Sequence, residues 1–239
     1  HTQKPNLLVS GCSFTFNNSE KDVCSWPYYL RDLANFEEVY DCSQSGAGQS
    51  HIFRSIINEV ELNNILCPDN TLIIVMWSGF TRTDVIANVD ITKDYHTMSN
   101  YKFNDVFATL SIDNVAGKQT ELDKLSMTYK KMVDVDAQIY QSCLDIIALS
   151  GYLHNKGYKF IFTSYQNPVP ELQRIDSPLT TKVLNTLDDI KYLGEYSRET
   201  HKTEPCGHPT PDCYLEWTKK HLLPYLESKR YCKKLSSSC

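Results

Sequence analysis

The sequence predicts an α/β fold, a three-layer α/β/α arrangement on a mainly parallel, doubly wound sheet. Two observations lead there. Short apolar runs alternate with amphipathic helical stretches, and one run, NTLIIVMWS at 70–78, is apolar almost throughout, as a strand buried on both faces of a parallel sheet must be. Polar or glycine-bearing loops follow three of these runs, at the edge where open parallel sheets bind their ligands. At 239 residues the chain suits one such domain, 1–239, with a sizeable core.

Residues 6–10, NLLVS, read as the first strand. WPYYLRDLANF at 26–36 reads as a helix opened by a proline, with Tyr29, Leu30, Leu33 and Phe36 at helical spacing. EEVYDCS reads as a second strand and SGAGQS at 45–50 as a glycine loop. HIFRSIINEVELNNIL is then a helix with Ile52, Ile56 and Val60 on one side and Ser50 as its N-cap. The run at 70–78 completes a βαβαβ opening. From 85 to about 125 no period holds, and Tyr95, His96, Tyr101, Phe103 and Phe107 are scattered through it, so an insertion or lid is expected there. One long helix is expected from Met127 to Asn155, with Met132, Ile139, Leu144, Ile147 and Leu153 on its apolar face and Gly157 at its C-cap. YKFIFTSY at 158–165 reads as a further strand, TTKVLNTLDDIKYL as a short amphipathic segment, CGHPTPD as a turn, and CYLEWTKKHLLPYL as the closing helix. The Ser-rich tail is expected to fray.

A net charge of −5 offers no field to a phosphate backbone, and no apolar run approaches a membrane span, so neither nucleic acid nor membrane is an expected partner. Nine cysteines, an odd number in a chain too large to need stapling, read as reduced thiols. No metal is expected: Cys206 and Cys213 flank a His-Pro, but no CxxC pair exists. No cofactor is expected either, because SGAGQS lacks GxGxxG and no lysine follows either glycine loop, which ranks a nucleotide binder last. The absence of a charged and apolar leader favours the cytoplasm.

LLVSGCSFTFNN at 7–18 runs from an apolar strand straight into Gly-Cys-Ser, which puts Ser13 at the carboxyl end of the first strand, as a nucleophile or as a turn serine. The loops Ser45–Ser50, Trp77–Asp84 and GHPTPD belong at the same edge and outline one cleft. GCSFT, SQSGAGQS and GHPTPDCYLEWTKKHLLPYL resemble, in order and spacing over nearly the whole chain, the blocks of the SGNH/GDSL hydrolases. Their local residue pattern is similar to that of divergent members from phage and marine environmental sequences, and the sequence leaves the source open, viral or other.

The resemblance implies a flavodoxin-like sheet, Ser13 as nucleophile, His208 as the base that takes its proton, and an oxyanion met by the backbone N–H groups of Ser13 and Gly46. Three departures stand beside it. Cys12 replaces the family's first-block aspartate. WSGFTRTD lacks the third-block asparagine, leaving Ser78, Thr81 or Arg82 to substitute, and Arg82 adds a positive charge that favours an anionic substrate. Pro205 stands where the family places an aspartate, so either the adjacent Glu204 completes a triad or the site is a Ser-His dyad. The implied activity is hydrolysis of a small-molecule or glycan ester, an acyl or acetyl ester of a carbohydrate or small metabolite. The alternative is a non-catalytic carbohydrate-binding or structural module on the same fold.

Overall fold

The computed structural model describes residues 4–16, 24–87, 106–111, 121–205 and 207–231. In chain order the first elements are β1 (Asn6–Gly11), α1 (Trp26–Ala34), β2 (Val39–Asp41), α2 (Gln49–Leu62) and β3 (Thr71–Trp77). Then come β4 (Arg82–Ala87), β5 (Val106–Ser111), α3 (Glu121–Met132), α4 (Val135–Lys156) and β6 (Lys159–Ser164). The chain continues through α5 (Val169–Leu172), α6 (Pro178–Thr186), α7 (Leu193–Glu199) and α8 (Pro211–Trp217), which passes through a π turn (Thr218–Leu222) into α9 (Leu223–Ser228).

Four strands form one parallel sheet in the order β2-β1-β3-β6. The chain steps outward from β1 to β2 and then crosses back to β3, so β1 and β3 are neighbours whose following segments leave toward opposite faces. Such a switch point opens a crevice beyond the carboxyl ends of the two strands.

Strand alternation builds a core on each face. Leu7, Val9, Leu72, Ile74, Met76 and Ile161 pack with α1, α7 and the C-terminal helix. Leu8, Ile73, Val75, Trp77 and Phe162 pack with α2, α4 and α6. Every residue of β1 and β3 is buried, which explains why both read as nearly unbroken apolar runs. Each Leu or Ile so buried contributes about 1.5–3 kcal/mol. The expected three-layer α/β/α architecture is thus the one observed.

Several elements differ from the sequence expectation. The helix expected at 127–155 is two helices, because Asp134 leaves helical geometry and its carboxylate accepts from the N–H groups of Asp136 (2.9 Å) and Ala137 (3.1 Å) to start α4. The buried stripe of α4 is Ile139, Cys143, Ile146, Leu149 and Leu153, whereas Met132 and Leu144 are exposed. Gly157 does end this helix, at φ 79°. Ser50 is not the cap of α2: it lies inside the helix and donates to Asp145 (2.6 Å), while Gly48 takes the N-cap position. The segment at 180–193 breaks after Thr186 because Asp188 turns inward to accept from the Phe162 N–H (2.8 Å) and the Tyr225 hydroxyl.

The closing helix starts at Pro211, capped by Thr210, whose hydroxyl accepts from the Cys213 N–H (3.2 Å). Its π turn falls just before Pro224, which has no N–H to give. The region expected as an insertion opens as an antiparallel hairpin, β4 with β5, from Arg82 opposite Ser111 to Ala87 opposite Val106. Residues 88–105 and 112–120 of that expected insertion or lid, with Tyr95, His96, Tyr101 and Phe103, lie outside the described residues, as do Cys206 and the Ser-rich tail, and the last residues of the expected insertion start α3. No described helix is long and apolar enough to cross a membrane, and no described group of His, Cys, Asp or Glu could hold a metal ion.

Candidate active site

Beyond β1 the chain turns sharply. The N–H groups of Thr15 and Phe16 both donate to the Cys12 carbonyl (2.9 and 3.0 Å). Thr15 folds back over Gly11 so closely that a Cβ there would stand 2.3 Å from Thr15 Oγ1 and 2.9 Å from the Met76 carbonyl oxygen. Glycine is therefore required at position 11. The turn buries Cys12 and leaves Ser13 half-buried at the top of the sheet, between the loops that follow β2 and β3.

Ser13 Oγ lies 2.7 Å from His208 Nε2, a contact between residues 195 positions apart. The loop that carries His208 is closed on itself. Thr203 pairs with Pro209 as a β-bridge, the Glu204 N–H donates to the His208 carbonyl (2.7 Å), and the Gly207 N–H donates to the Glu204 carbonyl (2.8 Å). Gly207 takes φ +83°, a left-handed conformation that favours glycine. Glu204 thus meets His208 through its backbone. Its exposed carboxylate makes no hydrogen bond or ion pair with the imidazole among the described residues. The Phe14 ring packs against the imidazole (5.2 Å between centroids) and, on its other flank, against Tyr165 (4.7 Å).

The glycine loop after β2 stays attached to the end of β1, with the Gln44 N–H on the Gly11 carbonyl (3.0 Å) and the Ala47 N–H on the Gln44 carbonyl (3.0 Å). Gly46 has φ +80°, and a Cβ on it would meet no protein atom within 4 Å. The position therefore needs glycine for its backbone and faces open space. Gly48 sits against close neighbours that would have to give way by a few tenths of an ångström to admit a side chain. A Cβ there would stand 3.2 Å from both the Arg82 carbonyl and the Asp84 carboxylate.

Ser78, Thr81 and Arg82 fall on the loop after β3, and their surroundings differ. Ser78 is 1% exposed and gripped by Gln49, whose Nε2 donates to the Ser78 carbonyl (2.6 Å) and whose Oε1 accepts from the Ser78 N–H (3.2 Å). The Ser78 hydroxyl also leans on Gln49 Oε1 (3.4 Å). The Phe80 N–H donates to Glu171 (2.9 Å) and the Ser142 hydroxyl to the Phe80 carbonyl (3.0 Å). Thr81 leads into β4, and half-buried Arg82 reaches the Ala47 carbonyl with Nη1 (3.4 Å).

Gln49, Asp84, Glu171 and Tyr165 escaped the sequence reading. Asp84, its side chain fully buried, accepts from the His51 N–H (2.5 Å) and stands 3.7 Å from Arg54 Nη2. The carboxylate caps α2 from another element. Gln49 carried one signal, its place within the glycine loop SGAGQS. The other three act through contacts that only the tertiary fold creates.

The esterase EstA from Pseudoalteromonas sp., in a structure inhibited by monoethylphosphonate, is similar at 10% identity and TM-score 0.50, over 94% of this chain and 100% of that one. TesA is similar at 12% identity and TM-score 0.50, over 94% of this chain and 99% of that one. A G-D-S-L family protein from Desulfitobacterium hafniense DCB-2 is similar at 11% identity and TM-score 0.40, over 90% and 97%. The fold is SGNH/GDSL-like. No family model matches the sequence, and no curated protein does. A shared fold does not by itself fix an activity, and the residues at its switch point decide what this one can do. Within this SGNH-like frame the loop after β3 lacks the asparagine and the loop before α8 lacks the aspartate, so what stands in their place separates this chain from the family pattern.

Proposed function

We propose that the protein is a serine hydrolase that cleaves an ester, an acyl or acetyl ester of a carbohydrate or small metabolite. The observation that carries this reading is the 2.7 Å contact between Ser13 Oγ and His208 Nε2 at the head of β1. A hydroxyl is a weak nucleophile at neutral pH and gains from a base within hydrogen-bond reach. His208 takes the Ser13 proton as Oγ attacks the ester carbonyl, and returns it to the departing alkoxide. Water, deprotonated by the same imidazole, then releases the acyl group. The carbonyl oxygen, negative in the transition state, is met by the N–H groups of Ser13 and Gly46. Gly46 suits the task because its Cβ-free side faces open space. Arg82, half-buried beside the Gly46 loop, favours substrates with negative charge near the ester. The hydrogen-bonded loop from Thr203 to Pro209 orients His208, without the Glu204 carboxylate. A binding module has no need of a serine and a histidine in direct contact.

The test is hydrolysis of p-nitrophenyl acetate and acetylated sugars by wild type, Ser13→Ala and His208→Ala. Turnover in wild type that falls by 10³-fold or more in both variants is expected for residues acting as one unit. Turnover that survives Ser13→Ala contradicts the reading.

A further inference from the structure

The loop after β3 carries no asparagine, and its first hydroxyl, Ser78, is turned toward Gln49. Gly79 leaves a gap beside it. A Cβ built there would meet a single atom within 4 Å, the hydroxyl oxygen of Tyr165 at 3.7 Å. Tyr165 directly follows β6, with its N–H on the Trp77 carbonyl (3.2 Å) just past the last pair, Trp77 with Ser164. β6 lies two strands from β1, on the order of 10 Å. The tyrosine side chain brings its hydroxyl to the bare face of Gly79, on the loop after β3, and its ring packs on that of Phe14, the residue after Ser13 (4.7 Å between centroids). Its backbone is fixed from below, where the Gly194 N–H donates to the Tyr165 carbonyl at 2.7 Å.

We propose that the Tyr165 hydroxyl is the side-chain donor to the oxyanion, filling the role left open by the missing asparagine. The inference rests on the reading of Ser13 as nucleophile. The hydroxyl has no hydrogen-bond partner among the described residues, and Tyr165 is half-buried, so its donor is uncommitted. Burial pushes the phenol up to about 12, against the opposing charges of Arg82 and Arg198, so the group remains an O–H donor across the neutral range. As the ester carbonyl becomes an oxyanion, a hydroxyl donor that meets it strengthens with the charge that develops.

The experiment compares wild type with Tyr165→Phe, which removes one oxygen and keeps the ring on Phe14. Ser13-dependent hydrolysis of p-nitrophenyl acetate by wild type is established first in the same assay. Loss of one such donor costs about a hundredfold or more in kcat, with KM within about twofold. The rate of Ser13 labelling by a fluorophosphonate falls with kcat, and the thermal midpoint stays within about 2 °C. An active wild type whose Tyr165→Phe variant keeps full kcat overturns this proposal alone. A loss of kcat matched by a lowered thermal midpoint also overturns it, because the hydroxyl then acts on the fold. A wild type with no Ser13-dependent turnover overturns both this proposal and the reading beneath it.

Discussion

The His51 N–H donates to the Asp84 carboxylate at 2.5 Å, so the helix that follows the Gly46 loop is capped by a side chain from the start of the β4–β5 hairpin. Gly48, the N-cap residue, has no side chain to do this, and a Cβ there would meet the very carboxylate that does. Asp84→Asn keeps the shape and removes the charge that faces the helix N-terminus and Arg54. A stability loss of about 1–3 kcal/mol follows from weakening a buried charged acceptor. Urea denaturation checks it, and kcat is expected to fall as well because the Gly46 loop loosens. An unchanged midpoint contradicts the capping role.

Gly11→Ala tests the turn beneath the nucleophile. Thr15 can turn its hydroxyl away from an added methyl, but its Cβ at 2.8 Å and the Met76 carbonyl of the central strand at 2.9 Å stay in the way. The expected cost is about 1–3 kcal/mol of overpacking, with Ser13 displaced and hydrolysis reduced more than tenfold. The midpoint and kcat of the same preparation measure both.

Stability also carries a pH signature. Burial holds the His51 imidazole below its ordinary pKa, with Asp84 opposing the shift and Arg54 adding to it. The native state then binds this proton less readily than the unfolded chain, so the contribution is full above about pH 6.5 and is lost as pH falls through the lowered native value. Urea midpoints at pH 7.5 and 5 are expected to differ, and His51→Gln to flatten part of that slope. Equal slopes in wild type and variant contradict it.

The sheet was legible in the sequence because β1 and β3 are buried along their whole length and keep their apolar composition. The resemblance set Ser13, Gly46 and His208 in order along the chain, and the fold brings Ser13 and His208 within 2.7 Å. The two-helix break at Asp134 was hidden, since the apolar residues on either side share one period and a single cap decides the boundary. Asp84, Glu171 and Tyr165 were hidden more deeply. Asp84 caps a helix 33 residues upstream, Glu171 holds a loop 91 residues upstream, and Tyr165 meets Gly79 and Phe14 on loops after two other strands. Such roles leave no local pattern.

The most direct measurement is the site and rate of covalent capture. Wild type, Ser13→Ala and His208→Ala are treated with a fluorophosphonate, digested and read by mass spectrometry. The account predicts one phosphonyl adduct on Ser13 in wild type, none in Ser13→Ala, and labelling slowed by a hundredfold or more in His208→Ala. A folded wild type that takes no adduct, or takes it on another residue, would contradict the account.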